Sequence, residues 1–393
     1  SAQFQEAPYL FYKELRDQHP LFFDERLNAY VISRYADISY ALQDPSFTVR
    51  NYAFQSEPLH GRTFIQMDGL EHSKYRNAVA PHIRGNTLHR KIVPMIEEIA
   101  AGLYQNFQGR NQIDFAQSFA ARFPILVIVG LLGLNPEDER HFLTWYRRFV
   151  AFIADMGQSP EITEEAFRSK EEITNYLMPI IQQKRRHSGQ DLLSFMCHYT
   201  IDGVRLSDEE IKAFISLLIT AGGESTDKML SLTLRNLLQH PAQMQAVRED
   251  RSLIAAAFAE SMRYSPVTHR LMRITSAPVE LSGGKIPSES SVILLLGAAQ
   301  HDERQFKNPE HFNLFREDLP IDKAFNGAAN HVAFGGGRHF CVGAALAKAE
   351  IEIAFNQLFD LTRHIQLDGT TFPSEIGLFT RGLPSLPIAY RLS

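Results

Sequence analysis

Apolar side chains recur at helical spacing over most of this chain and alternate in only a few short stretches. The first helical pattern covers 9–18. Residues 21–23 and 29–33 alternate, with Tyr30, Val31 and Ile32 supplying β-branched and aromatic content and Asn28 standing in the turn between them. Helical spacing returns at 36–43 and holds almost unbroken from about 70 to 222, with breakers at Gly109, 133–136, 157–160, Gly189 and 202–203. Ser207-Asp-Glu-Glu210 is a capping box that starts a long helix reaching about Gln239, ahead of Pro241. Another helix covers 253–264 and stops before Pro266. Short strands are expected at 279–281 and 292–296, with Gly283 and Gly284 in a turn. A last helix covers 343–361, before strand-like pieces that include 388–390. The pattern predicts a mainly α fold with small β-sheets, in one domain over 1–393. A β-containing N-terminal part runs to about residue 70, and a helical body covers 70–393.

Bulk properties narrow the function classes. A chain of 393 residues can share one large core. A formal charge of −5 argues against a nucleic-acid binder. No apolar run approaches the ~20 residues of a membrane span; the longest, around 124–133 and 292–299, are expected to be core. No signal-peptide pattern opens the chain. The two cysteines, Cys197 and Cys341, do not make a disulfide framework and fit a reducing cytoplasm.

Four constellations carry candidate chemistry. Cys341 lies in Phe334-Gly-Gly-Gly-Arg-His-Phe-Cys341-Val-Gly343, directly before an apolar helix. A thiolate near a helix N-terminus is favoured by backbone N–H groups and the dipole. Glycines there admit a flat, bulky group, which suits a cysteine that ligates haem iron. Arg338 and His339 are cations able to pair with carboxylates. Cys197, among leucines, reads as core. The long helix contains Ala221-Gly222-Gly223-Glu224-Ser225, where two glycines cost roughly 1 kcal/mol each relative to alanine and an acid and a hydroxyl follow. These two could relay protons to a ligand, or Ser225 could bond back to its own helix. Glu260 and Arg263 share a helix face, either as a surface pair or, given the apolar neighbours 254–259, as a buried network. His72 and Arg76 are also one turn apart.

In this order the four resemble the cytochrome P-450 family of haem-thiolate monooxygenases, over essentially the whole chain. The family's haem loop is filled by Phe334, Gly337, His339, Cys341 and Gly343, its Glu-x-x-Arg pair by Glu260 and Arg263, and its oxygen-activating segment by Ala221, Gly222, Glu224 and Ser225. Ser225 stands where the family usually has Thr; it keeps the hydroxyl but loses the methyl that restrains the rotamer. His72, Arg76 and Arg273 look like the residues that bind haem propionates. The resemblance implies haem b held between the long helix and the cysteine loop, with Cys341 on the iron and Glu260–Arg263 structural. It also implies O2 as co-substrate, with Glu224 and Ser225 delivering protons. Electrons would come from NAD(P)H through a ferredoxin or flavodoxin and its reductase, docking on a basic face of Lys74, Arg76, Arg84, Arg338 and Lys348. The expected location is cytoplasmic, without membrane attachment.

The resemblance also implies substrate contacts from the segments that family uses for them, here 51–66, 142–156, 214–221, 267–271 and 377–380, including Val267, His269, Arg270 and Phe379. Tyr52, Gln55, His60, Arg62 and Gln66 add polarity. Apolar pockets usually carry few polar anchors, so the balance leans to a polar oxygenated small molecule, hydroxylated or oxidatively O-demethylated. A peroxide-driven hydroxylase of the same fold and a haem protein that binds a ligand without turnover are the competing readings. The pair Glu224–Ser225 argues against both.

Overall fold

The computed structural model describes residues 7–155 and 159–393; the expected breaker at Gly157 and the end of the 142–156 segment lie outside them. The fold is helical with small sheets. It divides into two compact units, one from Ser1–Val49, Gly102–Ala120 and Lys228–Ser393, the other from Arg50–Ala101 and Ala121–Asp227.

The first unit carries a five-stranded sheet in the order Leu21–Asp24, Ala29–Ile32, Ser291–Leu294, Leu271–Thr275, Phe47–Thr48. The first two strands form the expected hairpin, with Asn28 at φ 47°; asparagine tolerates that left-handed conformation better than most residues. Ser291–Leu294 then runs parallel to Ala29–Ile32, pairing Val292 with Tyr30, and antiparallel to Leu271–Thr275. Side chains alternate between the two faces. Ala29, Val31 and Ile293 join Tyr12 in one core, whereas Ile32, Val292 and Leu294 join Ile38, Leu42 and Phe47 in another.

The pattern-based reading gives no strand at Leu271–Thr275 or Phe47–Thr48, and it differs from the structure at two further places. Gly284 is not in a turn but opens the strand Gly284–Ile286, which pairs with Val279–Leu281. Gln112–Asp114, inside the stretch read as helical, joins Pro387–Leu392 and Thr362–Leu367 in a three-stranded sheet. Its partner lies far along the chain, so no local pattern marks it. Helix Ile254–Tyr264 packs on Ala344–Leu361, close to the bounds expected for both.

The second unit is helical apart from the small hairpin Thr200–Ile201/Val204–Arg205. Helix Phe123–Leu132 is apolar on every side, and all but two of its residues are buried, as a helix without a polar face must be. Glu139–Asp155 packs along Pro160–Arg186, with the Trp145 indole N–H donating to Glu172 at 2.8 Å. Helix Asp208–Gln239 begins with the expected capping box: the Glu210 N–H donates to Ser207 Oγ at 3.2 Å, and Glu210 Oε2 accepts the Ser207 N–H at 2.7 Å.

Candidate active site

Within the first unit, Cys341 is exposed, and its N–H donates to the Phe334 carbonyl at 2.9 Å. This bond closes a loop containing the short turn Gly337–His339. Gly337 has φ +59°, and a Cβ there would stand 2.5 Å from the Leu42 carbonyl oxygen. Neither conformation nor space admits a side chain. The Phe334 ring, half-buried, meets Phe340 edge-on at 5.8 Å and anchors the loop. Gly343 is the N-cap of helix Ala344–Leu361 and offers no side-chain acceptor to the first N–H groups. A thiolate three residues before that helix gains from those N–H groups. Cys197, in the second unit, is buried with Sγ directed at the Ile181 carbonyl, and burial pushes its thiol pKa up.

Arg273 is also in the first unit, on strand Leu271–Thr275. It is 3% exposed, its Nη1 donates to the Met272 carbonyl at 2.7 Å, and it has no carboxylate partner among the described residues. A buried guanidinium without an anion is expensive, so this donor set fits a carboxylated group such as a haem propionate. An exposed thiol ahead of a helix and a buried cation with no carboxylate partner among the described residues thus lie in the same unit, and both fit a haem. His339 is half-buried and Arg338 exposed.

Glu260 and Arg263 are almost completely buried, joined by two 2.8 Å bonds. Arg263 also donates to the carbonyls of Gln300, Pro309 and His311, and Glu260 accepts the Asn313 N–H at 2.9 Å. The pair ties helix Ile254–Tyr264 to the irregular chain around 300–313.

In the second unit, His72 is buried and Arg76 half-buried, one turn apart on helix Gly69–Arg76. On Asp208–Gln239 every residue of 213–220 is buried, yet Ala221 and Ser225 are exposed, again one turn apart. The Ser225 hydroxyl donates to the Ala221 carbonyl. The Cβ sides of Gly222 and Gly223 are taken by Ile128 and Ile125, so the room left by the glycines goes to close packing against Phe123–Leu132. Glu224 is half-buried. A neighbour not anticipated from sequence is Tyr146, whose hydroxyl lies 3.4 Å from Asp227. Burial first, then Asp227 and Glu224, push its pKa up. It reaches this place from a helix some 80 residues away in sequence, and no local signal announces that.

The expected substrate residues fare differently. Val267 is buried, and its carbonyl accepts the Arg381 N–H at 2.8 Å. His269 is 1% exposed; its Nδ1 lies 3.0 Å from the Tyr12 hydroxyl, and burial pulls its pKa down to about 3. Arg270 and Phe379 keep accessible surface. In the second unit His60 is buried, its Nδ1 2.7 Å from Ser216 Oγ, with its pKa pulled to about 4 by burial. Arg62 binds Glu71, and Gln66 closes a capping box with Thr63. Of the basic residues, Lys74 pairs with Asp202 and Lys348 with Glu352, while Arg84 and Arg338 are exposed. Among the described residues no helix is long and apolar enough to cross a membrane.

A family model described as Cytochrome P450 matches residues 2–361. The pulcherriminic acid synthase of Bacillus subtilis (strain 168) is 38% identical over 392 residues, covering 99% of this chain and 96% of that protein. Among solved structures, ligand-free cytochrome P450 TbtJ1 superposes with a TM-score of 0.87 at 29% identity, over 98% of this chain and 97% of the other. P450BioI, in complex with a hexadec-9Z-enoic acid ligated acyl carrier protein, superposes with a TM-score of 0.88 at 27% identity, over 99% of both chains.

Proposed function

Because the chain belongs to the cytochrome P450 family and is therefore a haem-dependent monooxygenase, we propose that Cys341 is the thiolate that holds its iron and that a polar oxygenated small molecule is its substrate. When bound, haem supplies O2 activation and transfer of one oxygen atom to the organic substrate, and the thiolate strengthens that chemistry by donating electron density. The observation that carries the assignment is the accessible Cys341 thiol at the start of helix Ala344–Leu361, beside a glycine turn that excludes side chains.

The protein's own residues divide the remaining work. The loop bond from Cys341 N–H to Phe334 holds the sulfur in place. Arg273, buried and uncompensated, takes one propionate; His72, Arg76 and His339 are the further propionate contacts. Glu224 and Ser225 hold and pass protons, Glu224 as the acid and Ser225 through its hydroxyl. Glu260 and Arg263 act through the fold. Electrons come from NAD(P)H by way of a ferredoxin or flavodoxin and its reductase, docked through exposed arginines such as Arg84 and Arg338, in the cytoplasm. The lean to an oxygenated substrate is supported by a relative named for forming an acid and by the accessible Arg270.

The deciding experiment is a reduced-plus-CO spectrum of the haem-loaded chain and of Cys341→Ser, followed by assay with a surrogate ferredoxin pair. The red-shifted thiolate band and NADPH-dependent oxygenation of a screened compound are expected, with both lost in Cys341→Ser. A variant that hydroxylates like its parent overturns the assignment.

A further inference from the structure

We propose that Arg270, set against the Phe379 ring, is the substrate's anion anchor: it binds a carboxylate-type oxygen carried next to an apolar body. This rests on the monooxygenase reading above and adds to it the chemical class of the substrate.

The two residues are held together by the backbone. The His269 N–H donates to the Phe379 carbonyl at 3.0 Å, the Arg381 N–H donates to the Val267 carbonyl at 2.8 Å, and Thr268 bridges to Thr380. These contacts pin 267–269 to 379–381 and bring Arg270 over Phe379, with the guanidinium carbon 6.0 Å from the ring centroid. That is the outer limit of a cation–π contact and offsets little of the charge. The ring instead offers a flat apolar wall beside the cation.

Arg270 is partly buried and, among the described residues, has neither a hydrogen-bond acceptor nor a carboxylate partner. Burial accordingly holds its pKa below the usual arginine range. The surroundings explain why, among the described residues, no protein anion reaches it. Tyr12, which feels Arg270, also feels Arg381. The carboxylate of this corner, Glu375, is taken up by Arg235 Nη2 at 2.7 Å and by Arg381 Nε at 3.5 Å. Among the described residues, two other guanidiniums thus lie on Glu375, Arg235 by a hydrogen bond and Arg381 as a looser ion pair, and Arg270 is left over. A fork of N–H donors in that state selects a planar oxyanion, which it can bind with two parallel bonds. Arg273 lies on the strand that follows Arg270, but on the opposite side: it pairs with Val292, on the face of Leu294 and Ile32, whereas Arg270 precedes the strand and lies by Tyr12 and Phe379. The two cations therefore serve different anions.

The test is spectral and calorimetric titration of the haem-loaded full chain with three acids, 4-phenylbutyrate, indole-3-propionate and octanoate, each beside its methyl ester. In the parent protein at least one acid should bind about tenfold more tightly than its ester. Arg270→Gln should erase that preference and leave ester affinity within about twofold, and Arg270→Lys should keep about a third of it. If Arg270→Gln fails to take up haem, Arg270→Lys carries the comparison. The proposal is overturned if no acid binds better than its ester or if the preference survives the loss of Arg270. It is also overturned if Arg270→Gln speeds haem loss to apomyoglobin about tenfold with the preference unchanged, which would make Arg270 a propionate ligand. Absence of the thiolate CO band would instead remove the monooxygenase reading beneath it.

Discussion

The Ser225 hydroxyl donates to the Ala221 carbonyl at 3.2 Å, one turn back on the same helix. In this rotamer its proton is committed to the backbone, and Ser225 must rotate before it can give a proton to anything else. A β-branched threonine restricts that rotation and serine does not. Ser225→Thr should therefore raise the product formed per NADPH consumed, and Ser225→Ala should lower it while O2 uptake continues. Glu224→Gln should cut kcat by about 10²–10⁴, the usual worth of a positioned acid. Peroxide release measured beside product formation checks all three.

Gly223 and Ile125 predict a packing response. A Cβ on Gly223 would lie 2.5 Å from Ile125 Cδ1, the end of a flexible side chain, and 3.4 Å from Tyr146. Gly223→Ala should cost about 1–3 kcal/mol from overpacking, and a second change, Ile125→Val, should recover part of it. Urea midpoints of the two variants decide whether the glycines are there for helix contact.

Arg263→Ala should destabilise the protein by about 3–5 kcal/mol, because it removes both 2.8 Å bonds to the buried Glu260 carboxylate and leaves it to Arg316, 3.7 Å away. The Glu260→Gln/Arg263→Met pair, which removes both charges, should be milder than either single truncation. Thermal melts of the apo chains measure this without reference to catalysis.

Buried histidines set the acid limit, and His301 is among them, its pKa pulled well below the usual value by burial. Burial lowers the folded-state pKa of His60 and His331 to about 4 and that of His269 to about 3, below the ordinary histidine value. The unfolded chain therefore binds protons first as pH falls. Their contribution to stability is complete above about 6.5 and drains away below it, by about 1.4 kcal/mol per pH unit for each histidine, until the folded values are reached. Urea midpoints should fall steeply between pH 6.5 and 4.5, and His60→Gln should make the fall shallower.

Glu350 behaves oppositely. It is buried on helix Ala344–Leu361, its Oε2 has no hydrogen-bond partner among the described residues, and burial raises its pKa well above the usual carboxyl range. It is neutral in the fold, and stability is lost as pH rises from the unfolded carboxyl value towards the folded one. Glu350→Gln should therefore stabilise the chain at pH 8 by about 1–3 kcal/mol and lose that advantage below about pH 4.5. Melting temperature against pH for parent and variant tests the sign.

Local signals decide which of these features could be read from the chain alone. The hairpin at Asn28, the capping box at Ser207 and the glycine loop at Cys341 are each written within about a dozen consecutive residues, and each is where the pattern places it. Strand Leu271–Thr275 shows no clean alternation, because both of its faces meet protein and its Met272 and Arg273 face different cores. The environment of His269 is equally illegible: Tyr12, which binds it, is 257 residues away. The want of a counterion at Arg270 depends on how Arg235 and Arg381 divide Glu375, which is a property of three separated segments rather than of any motif.

The parallel pairing of Tyr30 with Val292 has a consequence for synthesis. The N-terminal hairpin leaves the ribosome early but finds its neighbouring strand only roughly 260 residues later. At ~5–20 residues per second, that strand edge stands open for some tens of seconds. A nascent chain with this pairing should engage holdase chaperones through the hairpin of Leu21–Asp24 and Ala29–Ile32.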